Sequence, residues 1–246
     1  MSETSQPAIS VVIPCRNEAR NLAFLIGEVD AALSGRDYEV LVVDDGSTDT
    51  TGQVLAERIA TGDGRLRHIR HDRSAGQSAA VRSGVLAARG SVIVTMDGDG
   101  QNDPQYLPQL ADALLSADAG TGIVAGQRLK RTDTRLKQAA SRFANGLRQS
   151  ILRDDTRDSG CGLKAVRTEI FRALPYFDGW HRYLPALVLR DGFAVQHLDV
   201  VDRPRKHGKS NYGILDRGLR GVLDLCGVWW LRRRRKLVPQ VTEIGP

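Results

Sequence analysis

Residues 91–104 read SVIVTMDGDGQNDP: a run rich in β-branched residues from Ser91 to Met96, two aspartates one glycine apart, and then a helical pattern from Pro104 to Leu115. A short apolar run between turn signals and next to a helix-period segment has the form of a buried strand. Working outward, Ile9 to Ile13, Val40 to Val43, Leu66 to Ile69 and Gly122 to Ala125 have the same character. Helical stretches lie between them at Ala19–Leu33, Thr50–Ile59 and Gln77–Ala88. Strict alternation of strand and helix predicts an α/β fold, a Rossmann-like and mostly parallel sheet flanked by helices. Ligands of such sheets bind outside the carboxyl ends of the strands.

The segments at those ends are acidic: PCRNE (Pro14 to Glu18), DDGSTD (Asp44 to Asp49) and DGDGQ (Asp97 to Gln101). Two carboxylates held behind a buried strand repel each other unless a cation or partner neutralises them. Hard oxygen ligands select Mg²⁺ or Mn²⁺, which bind through one or two carboxylates plus substrate phosphates. Asp97 and Asp99 are therefore candidate metal ligands, and Gln101 adds a further oxygen. An isolated DGDG reads more readily as a solvated turn; its place after VIVTM, beside two other acidic turns, reverses that in favour of the cation. In DDGSTD, Thr48 or Asp49 is a candidate helix cap. Asp44 and Asp45 are candidate acceptors for a nucleobase N–H or ribose hydroxyls.

The chain has 246 residues, 41% of them apolar, enough for one large domain or one domain plus a small appendage. Cys15, Cys161 and Cys226 are far apart and lack zinc or disulfide spacing, so they are expected as reduced thiols of a cytoplasmic protein. No signal-peptide pattern is read at MSETSQPAIS. The net charge is +6, but Arg203 to Lys236 holds eleven Lys or Arg against two acids, leaving the remainder at −3. Such a tail suits nucleic acid, anionic lipid or an anionic substrate. No helix-turn-helix, zinc-finger or RNA-binding signature is present, so no nucleic-acid partner is expected.

VVIPCRNE, VVDDGSTD, AGQSAAVRSG and VTMDGDGQNDP occur in the order shown by the inverting glycosyltransferases of family 2, with the GT-A fold, and the chain resembles that family from about Ile9 to Tyr212. DSGCGLKAVR (from Asp158) and RPRKHGKSNYG (from Arg203) resemble the later motifs of its polyprenyl-phosphate glycosyltransferases. The resemblance implies that Pro14, Arg16 and Glu18, with Asp45, frame the nucleoside of a UDP or GDP sugar. It implies that Asp97, Asp99 and Gln101 hold the metal on the diphosphate. Arg128, Arg142 and Ser159 would surround the acceptor phosphate, and Arg203, Arg205 and Ser210 would close over the donor, with Asp99, Arg128 and Arg203 carrying catalysis. Arg16 departs from the aromatic residue common in the family, Gly98 and Gly100 from bulkier neighbours, and Asn211 from a frequent Lys. The implied reaction moves a sugar from a nucleoside diphosphate to polyprenyl phosphate. The alternative is a family-2 enzyme acting on a saccharide hydroxyl in polysaccharide synthesis; the remote alternative is a basic nucleic-acid-binding protein.

Beyond Gly126 the pattern loosens into a basic helix, Leu136 to Leu152, the turn DSGCG, the strand Phe193 to Val201 and a final helix from Tyr212. Residues 1–211 are read as the glycosyltransferase domain and 212–246 as an amphipathic helix with a basic tail. Leu215, Leu219, Val222 and Cys226 share one helical face, and Trp229 and Trp230 precede RRRRK. The apolar run Leu225 to Leu231 is far below the roughly 20 residues a spanning helix needs. The segment is expected to lie on an anionic membrane surface, placing the protein on the inner face of the cytoplasmic membrane.

Overall fold

The structure, a computed structural model, describes residues 6–62, 64–129, 146, 148–204, 214–236, 239 and 242. One sheet of seven strands runs through it: β1 (Ile9–Cys15), β2 (Tyr38–Asp44), β3 (Leu66–Arg70), β4 (Val92–Thr95), β5 (Thr121–Arg128), β6 (Lys164–Arg167) and β7 (Ala194–Val200). Their spatial order is β3-β2-β1-β4-β6-β5-β7. All pairings are parallel except those of β6, which runs antiparallel to both β4 and β5. The expected mostly parallel sheet is present, with one reversed strand the sequence did not announce. Lys164–Arg167 is four residues long and charged at both ends, so it lacks the apolar run that marks β1, β2 and β4.

Helices cover both faces. On one side α1 (Ala19–Ala32) and α4 (Tyr106–Ser116) pack Leu22, Leu25, Leu107 and Leu110 against Val11, Val40 and Val94. On the other, α3 (Gln77–Ala87), α5 (Thr168–Ala173) and α6 (Leu184–Arg190) pack around Trp180, with Val12, Leu41 and Ile93 facing them. Double-sided cover explains why every residue of β1 and β2 is buried and why both read as near-continuous apolar runs. α2 (Thr51–Thr61) flanks α1 and β3. A Cβ at Gly84 would meet Val12 Cγ1 at 2.4 Å, so glycine there lets α3 lie close on β1 and seats Gln77 at the sheet's carboxyl edge.

The last helix, α7 (Ile214–Arg233), is fastened to the second core. Leu225 and Val228 are buried in it, Tyr183 Oη donates to the Gly221 carbonyl at 3.2 Å, and Arg190 Nε donates to the Leu231 carbonyl at 3.3 Å. Val222 and Cys226, two members of the predicted stripe, are exposed together with Leu223, Trp229 and Trp230. The docking face is therefore the opposite one, and the predicted stripe points outward where it is described. Leu215 and Leu219 lie outside the described side chains. Among the described residues no helix is long and apolar enough to cross a membrane.

Candidate active site

Because β6 is reversed, its start meets the carboxyl ends of the parallel strands: Lys164 pairs in register with Thr95, and Thr95 Oγ1 donates to the Gly162 carbonyl at 2.6 Å. The turn before β6 thus joins Asp97. Gln77 Nε2 donates to Asp97 Oδ1 at 2.8 Å, and the Asp97 N–H donates to Asn102 Oδ1 at 3.0 Å. A Cβ at Gly162 would sit 2.5 Å from Asp97 Oδ2 and 2.6 Å from Asn102 Oδ1, so only glycine fits against this carboxylate. Burial first, and then the charge of Asp99, push the Asp97 carboxyl up to about 6, against the opposing pull of Lys164 and Arg128.

This has a measurable consequence. Folded Asp97 holds its proton to about pH 6, whereas the ordinary value is 3.8. The folded state therefore binds more protons than the unfolded state between these values, and its stability falls as pH rises from about 4 to 6. The ligand-free protein then carries a cost of about 3 kcal/mol above that range. Asp97→Asn is expected to flatten this slope and raise the ligand-free melting temperature at neutral pH. Identical melting profiles between pH 4 and 7 for both proteins would contradict it.

Behind the loop, Asp99 Oδ1 accepts from the Gln101 N–H at 3.0 Å, and the Gln101 carbonyl accepts from the Arg203 N–H at 2.7 Å. The Gln101 backbone oxygen is thereby engaged, which leaves its side-chain oxygen as the candidate metal ligand. Arg203 Nη2 donates to Glu28 Oε2 at 2.7 Å and to the Asn102 carbonyl at 3.2 Å, so this guanidinium ties the loop to α1. Among the described residues, no three His, Cys, Asp or Glu side chains converge to hold a metal by themselves. Two carboxylates and an amide oxygen suit a cation that takes its remaining ligands from water and substrate phosphates. The elevated Asp97 carboxyl fits such a site, since a cation there relieves the repulsion that raises it.

The nucleoside-side loops are laced together. Asn17, in a left-handed conformation (φ 56°), accepts at Oδ1 from the Thr48 N–H at 2.8 Å, while its own N–H donates to Ser47 Oγ at 2.8 Å. Asp49 Oδ1 accepts from the Thr51 N–H at 2.9 Å, but the cap expected at Thr48 or Asp49 falls one residue later: Thr50 is the N-cap of α2 and makes no side-chain capping bond. Asp44 corrects an expectation: it is fully buried, with Oδ1 closing its own turn by accepting from the Ser47 N–H at 2.8 Å. It has no surface to offer a nucleoside. Asp45 accepts from His71 Nδ1, Ser74 Oγ and the N–H groups of Ala75 and Gly76, all within 2.9 Å. Burial raises its pKa, but these bonds outweigh it and hold the carboxyl below its usual value. A nucleoside N–H reaching Asp45 would have to displace one of them. Pro14 is buried, Arg16 is exposed, and Glu18 Oε2 accepts from Asn21 Nδ2.

On the far side, Arg128 is clamped. Its Nε and Nη2 donate to the two oxygens of Asp158 and its Nη1 donates to Asp202 Oδ2 at 3.2 Å. Asp202 also accepts from Asn102 Nδ2 at 3.2 Å, which links this clamp to the DGDG loop. Ser159 is partly buried in the turn between Asp158 and Gly160. Arg142, Arg205, Ser210, Asn211, His207 and most of the expected helix Leu136 to Leu152 lie outside the described residues; residues 148–152 are helical. Sequence reasoning missed Gln77, Asn102, Gly162, Lys164 and Asp202. A glycine-spaced helix start pointed only indirectly to Gln77, and the others join the site through tertiary contact.

A mostly parallel sheet with one reversed strand, bearing paired carboxylates at its carboxyl edge, is the architecture of the GT-A glycosyltransferases. The profile of glycosyl transferase family 2 matches residues 10–174, and the chain belongs to that family. It is 33% identical over 211 residues to the undecaprenyl-phosphate 4-deoxy-4-formamido-L-arabinose transferase of Edwardsiella ictaluri, covering 84% of this chain and 63% of that protein. It is 35% identical over 231 residues to the dodecaprenyl-phosphate galacturonate synthase of Rhizobium johnstonii, covering 92% and 67%. The chain thus spans just under two thirds of the length of the first of these relatives and 67% of the second. Among solved structures, glucosyl-3-phosphoglycerate synthase from Mycobacterium tuberculosis with UDP superposes with a TM-score of 0.65 at 20% identity, covering 92% of this chain and 80% of that one. At that identity the likeness establishes the fold.

Proposed function

We propose that the chain is a metal-dependent inverting glycosyltransferase that moves a sugar from a nucleoside diphosphate to a polyprenyl phosphate, giving a lipid-linked monosaccharide for envelope glycan or lipid A modification. The observation that carries the reading is the pairing of Asp97 and Asp99 at the carboxyl end of β4, beside carboxylates already committed to an arginine. The relatives named for polyprenyl-phosphate sugar transfer support the acceptor, and the Mn²⁺ and UDP-glucose complex among the structural neighbours supports the donor and the metal.

Asp97, Asp99 and the Gln101 side chain would hold Mg²⁺ or Mn²⁺, whose positive charge makes the diphosphate a better leaving group. Pro14, Arg16, Glu18 and Asp45 frame the nucleoside side, and Arg203, with Arg205 and Ser210, serves the donor diphosphate. Arg128, Arg142 and Ser159 serve the acceptor. The Asp158–Arg128–Asp202 clamp holds this guanidinium in place as the acceptor phosphate approaches.

A phosphate is already an anion near neutral pH, so it needs positioning more than a general base. A saccharide hydroxyl does need a base. Among the described residues, the carboxylates of Asp158 and Asp202 on that side are engaged by Arg128 and Asn102. That engagement favours the phosphate acceptor over the saccharide alternative. The test offers polyprenyl phosphate, polyprenol and oligosaccharide in parallel. Transfer to the phosphate alone is expected, and transfer to a hydroxyl acceptor would overturn the assignment in favour of the alternative.

The outward face of α7, followed by Arg232 to Lys236, is assigned to an anionic membrane surface, with the protein peripheral on the inner face of the cytoplasmic membrane. Exposed apolar surface beside dense positive charge matches anionic headgroups.

A further inference from the structure

Beneath Asp97 lies a pocket of about 20 Å³, bounded by Pro14, Gln77, Val81, Thr95, Lys164 and His181. That is room for one oxygen-sized group. Lys164 is 3% exposed, and its ammonium donates to the Cys161 carbonyl. An ammonium has three donors and no acceptor, and this bond uses one of them. His181 is held neutral, because burial lowers its pKa to about 3, and its Nδ1 lies 2.7 Å from Ser78 Oγ.

The reaction outlined above has no step for Lys164 or His181. A buried ammonium is costly unless paired: burial lowers the Lys164 pKa, and the carboxylates that oppose this are Asp97, on the same pocket, and Asp158. Asp158 is committed to Arg128, and a cation bound at Asp97 and Asp99 would take Asp97 as well. In the donor-bound state Lys164 then needs another oxygen. The sugar on a diphosphate held at Asp97 is the group placed to supply one.

We infer that this pocket is a donor-sugar subsite in which an acceptor oxygen of the sugar, a hydroxyl or one oxygen of a carboxylate, docks on the Lys164 ammonium, so that Lys164 and the His181 wall determine which sugar is used. This rests on the donor-binding reading above. A purely structural Lys164 would balance the charge of Asp97 and act on metal and nucleotide alike, whereas a sugar subsite acts only when the sugar is present.

The test is calorimetric binding, with Mn²⁺, of UDP, UDP-glucose, UDP-galactose, UDP-glucuronate and UDP-galacturonate. The proteins are wild type, Lys164→Met, which keeps the length but not the charge, and Val81→Leu, which narrows the pocket from its apolar wall. At least one sugar nucleotide should bind wild type more tightly than UDP. Both variants should lose that increment, by about tenfold for Lys164→Met, as expected for a hydrogen bond to a charged group. UDP affinity should stay within about twofold, since UDP lacks the sugar that would enter the pocket. An increment confined to the uronates identifies a carboxylate oxygen, and one shared with the hexoses identifies a hydroxyl. Equal weakening of UDP and sugar nucleotide by Lys164→Met, or an increment intact in both variants, overturns the subsite while leaving donor binding in place. No binding of UDP, of GDP or of any UDP or GDP sugar to wild type overturns the donor-binding reading and the subsite with it. Should Lys164→Met fail to fold, Val81→Leu carries the same comparison.

Discussion

Asp99→Asn is expected to reduce turnover about a hundredfold or more with the fold intact. The amide keeps the shape of the side chain and can still accept from the Gln101 N–H, so the loop geometry survives. What disappears is one of two negative charges that would attract a divalent cation. The same charge raises the Asp97 carboxyl, so its loss relieves repulsion in the ligand-free protein, and the melting temperature should stay level or rise. Assays in protein stripped with EDTA and reconstituted with Mn²⁺ separate the two effects. Near-normal turnover of Asp99→Asn under those conditions would remove the metal role from this residue.

The second large effect is expected at the membrane. Replacing Trp229 and Trp230 by Ala and Arg232 to Arg235 by Ser should release the protein from anionic vesicles. Each cation near an anionic surface contributes about 1 kcal/mol, so four together change binding on the order of a thousandfold at low salt. That contribution decays within a Debye length, so wild-type binding should weaken steeply as salt rises. Both tryptophans are exposed, and Arg233 lies over the Trp229 ring at 4.8 Å, while Leu225 and Val228 anchor the helix from its other side. Trp229, Trp230, Arg233 and Arg234 are exposed, whereas Arg232, near Asp154, and Arg235, beside Gly192, are partly buried against the domain.

The geometry adds a constraint. Arg235 lies beside Gly192, just before β7 begins, and so at the end of the sheet opposite the acidic edge. Twenty helical residues span about 30 Å. The helix must therefore lie along the bilayer rather than dip its tip into it if the acidic edge is to reach a lipid-linked acceptor. The variant should keep Mn²⁺-dependent donor binding, and should lose far more activity on long-chain polyprenyl phosphate in vesicles than on a short soluble analogue. Equal loss on both acceptors, or unchanged vesicle binding, would place the membrane contact elsewhere.

The first half of the fold was legible because β1, β2 and β4 are buried on both faces, which forces continuous apolar runs that local reading detects. β6 was not legible: its register with β4 and β5, rather than its own composition, makes Lys164–Arg167 a strand. The site divides in the same way. Asp97 and Asp99 stand out because an Asp-x-Asp behind a strand is costly in isolation. Gly162 and Lys164 approach Asp97 from more than sixty residues away, and no local pattern marks that meeting. Asp44 and Asp45 show the converse. Adjacent acids at a strand end read alike as ligand acceptors, yet Asp44 is fully buried and closes its own turn through the Ser47 N–H, while Asp45 is hydrogen-bonded by the 71–76 loop. The C-terminal helix was visible from its period, but with two apolar faces its sequence alone did not say which one docks.

The most direct test of the central claim is a product measurement. The protein would be incubated with Mn²⁺, undecaprenyl phosphate and a panel of UDP and GDP sugars, and the lipid fraction examined by mass spectrometry. The account predicts a new undecaprenyl phosphate species heavier by one sugar residue, formed with a subset of donors and abolished by EDTA. An unmodified lipid with every donor in the panel, while the sugar nucleotides are consumed on a saccharide acceptor, would contradict it.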